Sequence, residues 1–585
     1  MFRLLKNFTK KDWILVIICV ALIAFQVFLD LKLPDYMSSI TTLIQSEKNN
    51  IQDIIIKGLF MLSCAFGSLI SAVIVCYLTS YLSADFSYIL RQKIFRKVGK
   101  FGMEEVKKFK TSSLITRTTN DVTQIEMLIA MGLQMIIKAP IMAVWAVSKI
   151  LNKNIQWSIL TGAGVFILLL TITILLIIVF PRFGRVQKLI DKINGVTREN
   201  LTGIRVVRAF NAEVFQQNRF EDVNNDLTNT QLFNQKCFAL LNPVMNLVMH
   251  FLTLGIYFIG AFLINKAGMM DKITLFSDMV VFTSYGMQVI AAFLMLAMIF
   301  MIWPRAGISA NRINEVLEEK IKIKEGNFDS KTDIKGVVEF RNVSFKYPDA
   351  DEYLLENISF KVNKGETIAF IGSTGSGKST LVNLIPRFYD VTDGEILVDG
   401  VNVKDYKEEC LNNKIGYVSQ KAIMFTGSVN FNVGYGSGLQ KITNKKIKEA
   451  VKVAQGTDFV ESMDKTYESH IARGGTNISG GQKQRLSIAR AIAKDPEIYI
   501  FDDTFSALDY KTDSTLRKEL KKYTKDATSI IVAQRIGTII SADKIVVLDK
   551  GKCVGIGTHK QLLKSCEVYK EIALSQLSKE ELNNA

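Results

Sequence analysis

The stretch Gly372-Ser-Thr-Gly-Ser-Gly-Lys-Ser379 decides how the second half of this chain folds. It fits the pattern G-x-x-x-x-G-K-[ST] of phosphate-binding loops. The apolar run 367–371 before it predicts a buried strand, and the run 379–385 after it predicts the start of a helix. A chance Gly/Ser-rich turn would lack this context. We therefore expect the backbone N–H groups to cradle a nucleotide, with Lys378 on the β- and γ-phosphates and Ser379 on Mg²⁺.

The composition indicates a membrane protein with more than one domain. The 585 residues are too many for one ordinary domain. Of these, 48% are hydrophobic, the mean hydropathy is +0.20 and only 8 are proline. The net charge of +16 fits basic residues on cytoplasmic loops and beside anionic lipid heads, so we expect a lipid partner and no nucleic acid. Seven scattered cysteines without a C-x-x-C pair indicate a reducing interior rather than disulfides or zinc.

Apolar stretches in the first half predict six membrane-spanning helices, because each is long enough for a bilayer core. They lie near 13–33, 54–84, 127–150, 155–180, 240–265 and 276–303. The loops at 85–126 and 181–239 are long and basic, whereas the loops between the other spans are short and hold few basic residues. The positive-inside rule places the long loops, both termini and the second half in the cytoplasm.

A few polar residues fall inside these spans. Lys138, His250 and Gln288 are costly in hydrocarbon and are functional candidates, although each also fits a hydrogen bond to a neighbouring helix. Asp30, Lys149 and Asp278 lie nearer the span ends, where we expect them to snorkel or meet water. The tips of the two long loops, near 111–121 and 199–210, read as docking segments or as plain solvated hairpin tips.

Further motifs follow the phosphate loop in a fixed order. The strand 337–347 ends in an aromatic residue, the strand 414–420 ends in an amide, and the strand 497–503 ends in two carboxylates. A second glycine turn, Ser479–Gln482, precedes a good helix and predicts a second anion site. One chain has no evident need for two such sites on one triphosphate. Two chains facing head to tail would use both.

This set of motifs resembles the ATP-binding cassette (ABC) family over residues 335–575. The loop at 372–379 resembles its Walker A motif, Gln420 its Q-loop, Ser479–Gln482 its signature, Ile498–Asp502 its Walker B motif and Ser506–Asp509 its D-loop. The resemblance implies ATP and Mg²⁺ as cofactors. It implies nucleotide contacts from Tyr347, Gly372, Ser373, Thr374, Gly375, Ser376, Gly377, Lys378, Ser379, Thr380, Ser479, Gly480, Gly481 and Gln482; metal contacts from Ser379, Gln420 and Asp502; and catalytic roles for Asp503, Gln534 and Gln420.

Six spans ahead of the cassette resemble the exporter half-transporters of the multidrug type. The implied fold is an all-α transmembrane domain at 1–320 with two long cytoplasmic hairpins, a linker at 321–335 and an α/β P-loop domain at 336–585. By the same resemblance, the tips near 111–120 and 200–210 are coupling helices that press on the cassettes, and Tyr347 stacks on adenine.

Three positions depart from the family pattern. Asp503 stands where the family has a Glu general base, and its carboxylate is one methylene, or ~1.5 Å, short of that reach. Gln534 stands where the family has a His switch, and it cannot carry a proton near neutral pH. Arg473 stands where Glu is frequent. Together these changes resemble the degenerate half of heterodimeric exporters, and they predict a second half-transporter that carries Glu and His.

The predicted activity is therefore ATP-driven export of small amphipathic or lipophilic compounds across the cell membrane. The composition, rich in Lys, Asn and Ile, hints at a bacterial source. Two alternatives remain open at this point: an ATP-gated channel-like or sensory subunit, and an importer built on the exporter fold. The sequence does not identify the cargo or the partner.

Overall fold

The computed structural model describes residues 2–45, 51–151, 155–329, 332–437 and 442–577. The chain divides into two compact units. The first unit comprises Met1–Gly99 and Thr111–Glu319, and the second comprises Lys100–Lys110 and Lys320–Ala585. The segment 100–110 therefore groups with the second half of the chain, although it lies within the first long cytoplasmic loop.

Long helices make up the first unit. Six helical stretches of the described residues are long and apolar enough to cross a membrane, as predicted: Lys10–Gln45, Ile51–Val98, Thr111–Leu151, Ile155–Thr202, Glu213–Lys266 and Asp271–Glu318. The helices up to residue 318 are α1 (Phe2–Leu5), α2 (Lys10–Gln45), α3 (Ile51–Val98), α4 (Met103–Phe109), α5 (Thr111–Thr118), α6 (Asn120–Met127), α7 (Leu133–Leu151), α8 (Ile155–Thr202), α9 (Ile204–Ala209), α10 (Glu213–Ala239), α11 (Leu241–Lys266) and α12 (Met269–Glu318).

The interior of this helical unit is apolar and aromatic. Trp157 of α8 and Phe282 of α12 pack with ring centroids 5.1 Å apart, and both side chains are buried. The indole Nε1 of Trp157 donates a hydrogen bond to the backbone oxygen of Ile256 in α11 at 3.1 Å. Burying a Trp is favourable only where its N–H has a partner, so this bond fixes the packing of α8 against α11.

The second unit is an α/β domain. Its strands are β1 (Val338–Phe345), β2 (Leu355–Val362), β3 (Thr367–Gly372), β4 (Asp393–Val398), β5 (Val401–Asn402), β6 (Ile415–Val418), β7 (Gly427–Ser428), β8 (His470–Ile471), β9 (Ile498–Asp502), β10 (Thr528–Val532), β11 (Lys544–Asp549) and β12 (Lys552–Gly557). Its further helices are α13 (Lys378–Leu384), α14 (Glu408–Lys414), α15 (Val429–Gly434), α16 (Asn444–Val453), α17 (Thr457–Glu461), α18 (Gly480–Lys494), α19 (Tyr510–Tyr523), α20 (Ile536–Ile539), α21 (His559–Ser565) and α22 (Glu567–Gln576).

The order of the main sheet brings the predicted motifs together. Its six strands run β12-β11-β3-β10-β9-β6, and all neighbours except β11 and β12 pair in parallel. The strands β3, β10, β9 and β6 are apolar runs buried on both faces, as parallel strands require. Val532 of β10 lies opposite Phe370 on one side and Asp502 on the other. Four loops therefore leave the same edge of the sheet side by side, where α/β folds bind ligands.

A smaller antiparallel sheet, in the order β2-β1-β4-β5, completes this unit. The segment Lys100–Lys110, which contains α4, belongs to this second unit as well. Glu105 is buried and accepts a hydrogen bond from the backbone N of Lys322 at 3.1 Å, while the carboxylate of Glu104 pairs with the Lys322 ammonium. The segment that groups with the α/β domain thus directly precedes residues 111–120, where the sequence predicts a docking tip.

Candidate functional site

The phosphate loop joins β3 to α13 and depends on two glycines. Gly375 and Gly377 have φ angles of 86° and 93°, which lie in the left-handed region that favours glycine. A Cβ on Gly377 would also approach Leu355 Cδ2 to 2.6 Å. The loop borders a cavity of about 310 Å³ that is also lined by Lys378, Ser379 and Thr380. The backbone is therefore arranged as phosphate binding requires.

Lys378 lies folded against its own loop. Its Nζ donates to the backbone oxygens of Gly372 at 2.9 Å and Ser373 at 2.7 Å, and contacts Ser376 Oγ at 3.4 Å. Burial lowers the pKa of the Lys378 ammonium, and the nearby carboxylates of Asp503 and Asp502 oppose this shift. An anionic phosphate at the loop would offer this half-buried cation the counter-charge that the carbonyl oxygens do not supply.

Ser379 and Asp502 present paired oxygens at the end of β9. Ser379 Oγ donates a hydrogen bond to Asp502 Oδ1 at 2.7 Å. Burial raises the pKa of Asp502, while the bond from Ser379 lowers it and the charge of Asp503 raises it further. A hydroxyl and a carboxylate oxygen in contact are hard ligands of the kind that Mg²⁺ takes beside a bound phosphate. These residues fit the ion that the motif implies.

Asp503 is held by two glutamine side chains. Gln534 Nε2 donates to Asp503 Oδ2 at 2.7 Å, and Gln420 Nε2 donates to the same oxygen at 3.1 Å. The Asp503 side chain is buried, and its backbone has φ 45° and ψ 35°. All three predicted catalytic residues therefore meet at one carboxylate oxygen, which already accepts two hydrogen bonds.

Tyr347 lies beside Thr380, the residue that follows the phosphate loop. Its hydroxyl forms a hydrogen bond with Thr380 Oγ1 at 3.0 Å, and its ring packs edge-to-face against Tyr389 with centroids 5.4 Å apart. Lys107 Nζ of α4 lies 5.3 Å from the centroid of the Tyr347 ring. Such a cation over an aromatic face is attracted by the ring quadrupole. The predicted adenine-stacking residue is thus fixed at its hydroxyl and is contacted by the α4 segment.

The second glycine turn lies away from this cavity. Ser479 caps α18: its Oγ accepts from Gln482 N at 3.3 Å, and Gln482 Oε1 accepts from Ser479 N at 2.9 Å. Ser479 and Gly480 are exposed, and a Cβ on Gly480 would meet no described atom within 4 Å. The residues Ser479–Gln482 do not line the cavity at the phosphate loop. The start of α18 is therefore preformed and open to a separate molecule.

Two glutamines that support the site lie outside the sequence motifs. Gln576 of α22 donates from Nε2 to the backbone oxygen of Gln534 at 2.8 Å, and its Oε1 accepts from Ile536 N at 2.8 Å. Gln484 of α18 donates to the backbone oxygen of Ser419, next to Gln420, at 3.3 Å. Both glutamines position a loop that carries a site residue. Only the tertiary structure identifies them, because neither lies in a recognisable pattern.

The intramembrane candidates separate into two groups. Lys138 pairs with Asp30, with Nζ and Oδ2 3.2 Å apart, and Gln288 Nε2 donates to the backbone oxygen of Asp30. Lys149 pairs with Asp35 at 2.9 Å. Asp30 and Lys149 each form an ion pair between α2 and α7, and both side chains stay partly exposed, with 25% for Asp30 and 37% for Lys149, so their contact with water stays a prediction. His250 instead has an exposed side chain on α11.

Comparisons with known proteins agree with this architecture. A family model of the ABC transporter transmembrane region matches residues 16–293, and a model of the ABC transporter matches residues 355–506. A solved structure of a bacterial Atm1-family ABC exporter with ATP bound aligns with a TM-score of 0.80. The alignment covers 98% of this chain and 99% of that chain at 22% identity, and it demonstrates a shared fold.

Relatives of similar length are found in bacteria. An uncharacterised ABC transporter ATP-binding protein of Mycobacterium tuberculosis is 39% identical over 534 residues, which cover 90% of each chain. The uncharacterised ABC transporter ATP-binding protein YfiB of Bacillus subtilis is 34% identical over 91% of each chain. YgaD of B. subtilis, a proposed multidrug export ATP-binding/permease protein, is 32% identical over 85% of this chain and 84% of its own. The chain therefore belongs to the ABC transporter family, as a half-transporter in which an exporter-type membrane region precedes the ATP-binding domain.

Proposed function

We propose that this chain is the hydrolysis-impaired half of a heterodimeric exporter. The observation that carries the proposal is the environment of Asp503. An oxygen of a carboxylate has about two lone pairs, and Asp503 Oδ2 already accepts from both Gln420 and Gln534. Only Oδ1 is left to accept a proton from an attacking water. Asp503 also ends about 1.5 Å short of a glutamate carboxylate in the same position, which is one C–C bond.

Gln534 adds a second reason for slow hydrolysis. A histidine in this place changes its charge near neutral pH, whereas the carboxamide of Gln534 does not. The amide can donate a hydrogen bond but cannot take up or relay a proton. Proton transfer by a positioned group contributes roughly 10²- to 10⁴-fold to an enzymatic rate. Losing both the base and its partner therefore supports a site that binds ATP and hydrolyses it slowly.

Nucleotide binding itself remains well supported at this site. Lys378 and the N–H groups of the loop at 372–379 would hold the phosphates, Thr380 lies beside them, and Tyr347 would stack on adenine. Ser379, Asp502 and Gln420 would hold Mg²⁺. When bound, this ion would neutralise charge that develops on the phosphates. The α/β domain would then retain ATP, and the bound ATP would stabilise the contact between the two chains.

The signature of this chain serves the other site of the dimer in this proposal. Ser479–Gln482 are intact, capped and open at the surface. They would close on the phosphates that the partner subunit holds. That partner is a second ABC half-transporter with Glu and His at the positions that correspond to Asp503 and Gln534. Most hydrolysis would then take place at the partner's site.

The cargo proposed is a small amphipathic or lipophilic compound. Export in this sense is supported by the exporter fold and by the name of the relative YgaD, a proposed multidrug export protein. The basic loops and the bacterial relatives support a multi-pass protein of a bacterial cell membrane, with both termini and the ATP-binding domain in the cytoplasm. Lipid surrounds the spans, and no nucleic acid takes part.

The test is steady-state ATPase of the purified chain with its partner half-transporter. Lys378→Ala in this chain should only slow turnover, while the matching Walker lysine change in the partner should abolish it. The proposal is wrong if Lys378→Ala alone abolishes turnover, or if the chain alone forms homodimers with full cargo-stimulated ATPase. Inverted vesicles that accumulate an amphipathic dye only with ATP would separate export from gating or import.

A further inference from the structure

A polar cluster lies inside the apolar part of the helical unit. Lys138 Nζ on α7 lies 3.2 Å from Asp30 Oδ2 on α2. Ser68 on α3 donates its hydroxyl hydrogen to Asp30 Oδ1, and Gln288 Nε2 on α12 donates to the backbone oxygen of Asp30 at 3.2 Å. Gln26 lies one turn before Asp30 and therefore on the same face of α2. Residues on α3, α7 and α12 thus direct polar groups at one turn of α2.

Two buried oxygens of this cluster accept no hydrogen bond in the described structure. Oε1 of Gln26 and Oε1 of Gln288 have no hydrogen-bond partner among the residues that the structure describes. The Gln26 side chain is deeply buried, with 6% of its residue surface exposed. Buried amide oxygens are nearly always paired, because an unpaired one loses its water without compensation. The cluster therefore has acceptors for a donor that the helices around it do not supply.

A second ion pair on the same helices provides a comparison. Asp35 Oδ2 lies 2.9 Å from Lys149 Nζ, and Asp35 Oδ1 accepts a hydrogen bond from the Tyr285 hydroxyl at 2.6 Å. Neither Asp35, Lys149 nor Tyr285 carries a buried side-chain atom without a partner in the described structure. This second pair leaves no buried polar atom unpaired among the described residues, although its side chains are the more exposed, with 29% for Asp35 and 37% for Lys149. Of the two ion pairs between α2 and α7, only the one at Asp30 has unpartnered buried oxygens beside it in the described structure; the other such oxygens of the helical unit, among them those of Ser87, Asn200 and Asn234, lie outside both pairs.

The charges of the cluster restrict what it can bind. Asp30 and Lys138 neutralise each other, so a cation that takes Asp30 leaves Lys138 unpaired. An anion that takes Lys138 leaves Asp30 unpaired. A buried charge without its partner is strongly unfavourable. A zwitterionic ligand compensates both residues at once. The Asp30 side chain is 25% exposed and Lys138 14% exposed, so a ligand can reach both.

We propose that Gln26, Asp30, Lys138 and Gln288 form a binding site for an amphiphile that carries a primary ammonium and an anionic group on an apolar body. The ammonium donates to Asp30 and to the two glutamine oxygens, and the anionic group takes Lys138. A primary ammonium has three N–H donors, whereas a quaternary ammonium has none. This assignment rests on the proposed function, since it names the chemical class of the exported compound.

The test measures equilibrium binding without ATP, on the complete transporter in phosphatidylglycerol nanodiscs. The probes are dodecylphosphoethanolamine, dodecylphosphocholine, dodecylammonium and dodecyl phosphate, below their micellar concentrations and with empty nanodiscs subtracted. We expect dodecylphosphoethanolamine to bind about tenfold or more tightly than each of the others, because only it satisfies every group. Binding of trileucine with free termini is measured in the same way, to distinguish a peptide ligand from a lipid headgroup.

Matched variants assign the effect to the cluster. Asp30→Asn/Lys138→Met removes both charges without leaving one unpaired and should equalise the four dodecyl probes. Asp35→Asn/Lys149→Met removes the second ion pair on the same helices, which has no unpartnered oxygen beside it in the described structure, and should preserve the order of affinities. Gln288→Leu should lower the preference for phosphoethanolamine over phosphocholine, while the preference for zwitterions remains. ATP binding by each variant in the same nanodiscs reports an intact fold.

Each result has a defined meaning. If wild-type protein binds the four dodecyl probes alike, or if the Asp30→Asn/Lys138→Met variant keeps the wild-type order, the cluster is structural and the assignment is wrong. If the order holds while vesicles show no ATP-dependent export, the binding site stands and the proposed export fails. If export holds while the order is absent, the site fails alone.

Discussion

Lengthening one side chain should restore hydrolysis at the ATP site of this chain. Asp503→Glu extends the carboxylate by one C–C bond, about 1.5 Å. A misplacement of about 1 Å at a reacting group costs roughly 10²-fold, or about 2.7 kcal/mol of transition-state stabilisation. We therefore expect Asp503→Glu combined with Gln534→His to raise turnover at this site by about 10²-fold.

Asp503→Glu alone should recover less ATP hydrolysis than Asp503→Glu combined with Gln534→His. Gln534 Nε2 donates to Asp503 Oδ2 at 2.7 Å, and Gln420 donates to the same oxygen at 3.1 Å. A hydrogen bond to a charged group contributes about 1.5–3 kcal/mol. A glutamate at position 503 is drawn back by these donors, so we expect a gain of only about tenfold until Gln534 is replaced.

The assay isolates this site in the heterodimer. The partner's Walker lysine is changed to alanine, so phosphate release in a single turnover reports only the site with Lys378. Asp503→Gln with Gln534→His is the matched control, because it keeps the size of the glutamate side chain and removes the base. The reasoning is refuted if the wild-type site already matches the partner's rate, or if the double variant remains as slow as the control.

Three further substitutions test other parts of the ATP-binding domain. Lys414→Met leaves the fully buried Asp399 carboxylate, now 2.7 Å from Lys414 Nζ, without this cation, and chemical denaturation should show a loss of about 3–5 kcal/mol; Lys414→Arg should lose less. Gly377→Ala forces a residue with a Cβ into φ 93°, at a cost of roughly 1–2 kcal/mol, so ATP affinity by fluorescence titration should fall about tenfold. Ser479→Ala removes a helix cap worth about 1 kcal/mol of domain stability. It should slow ATP hydrolysis at the partner's site much more than at this site. Ser479→Thr should keep both the domain stability and the hydrolysis rate at the partner's site.

Local sequence patterns were sufficient to predict the main elements of the fold. The apolar lengths predicted the six spans, and strand–glycine loop–helix predicted the junction at residues 372–379, because both signals depend on neighbours in sequence. The predicted strands ended in polar residues, and the structure gathers these residues at one edge of a parallel sheet. The confirmed fold class needed no information beyond these patterns and the family resemblance.

Contacts between distant segments were not predictable in the same way. That Gln420 and Gln534 donate to one oxygen of Asp503 depends on β9 lying between β6 and β10, an order that the sequence does not state. The pairing of Asp30 with Lys138 depends on side chains 108 positions apart meeting across two helices. A single polar residue in an apolar run looks like an end residue until its partner is placed beside it.

The position of α4 in the chain has a consequence for how the protein is made. Lys100–Lys110 belongs to the α/β domain, yet the ribosome must add about 210 more residues before it reaches Lys320. At roughly 5–20 residues per second, this takes about 10–40 s. During that time the Glu105 carboxylate lacks the backbone N–H of Lys322 to which it is bonded in the folded protein. The α/β domain is therefore completed by a piece synthesised before the last four spans, and a fragment that starts at residue 320 lacks part of its own surface.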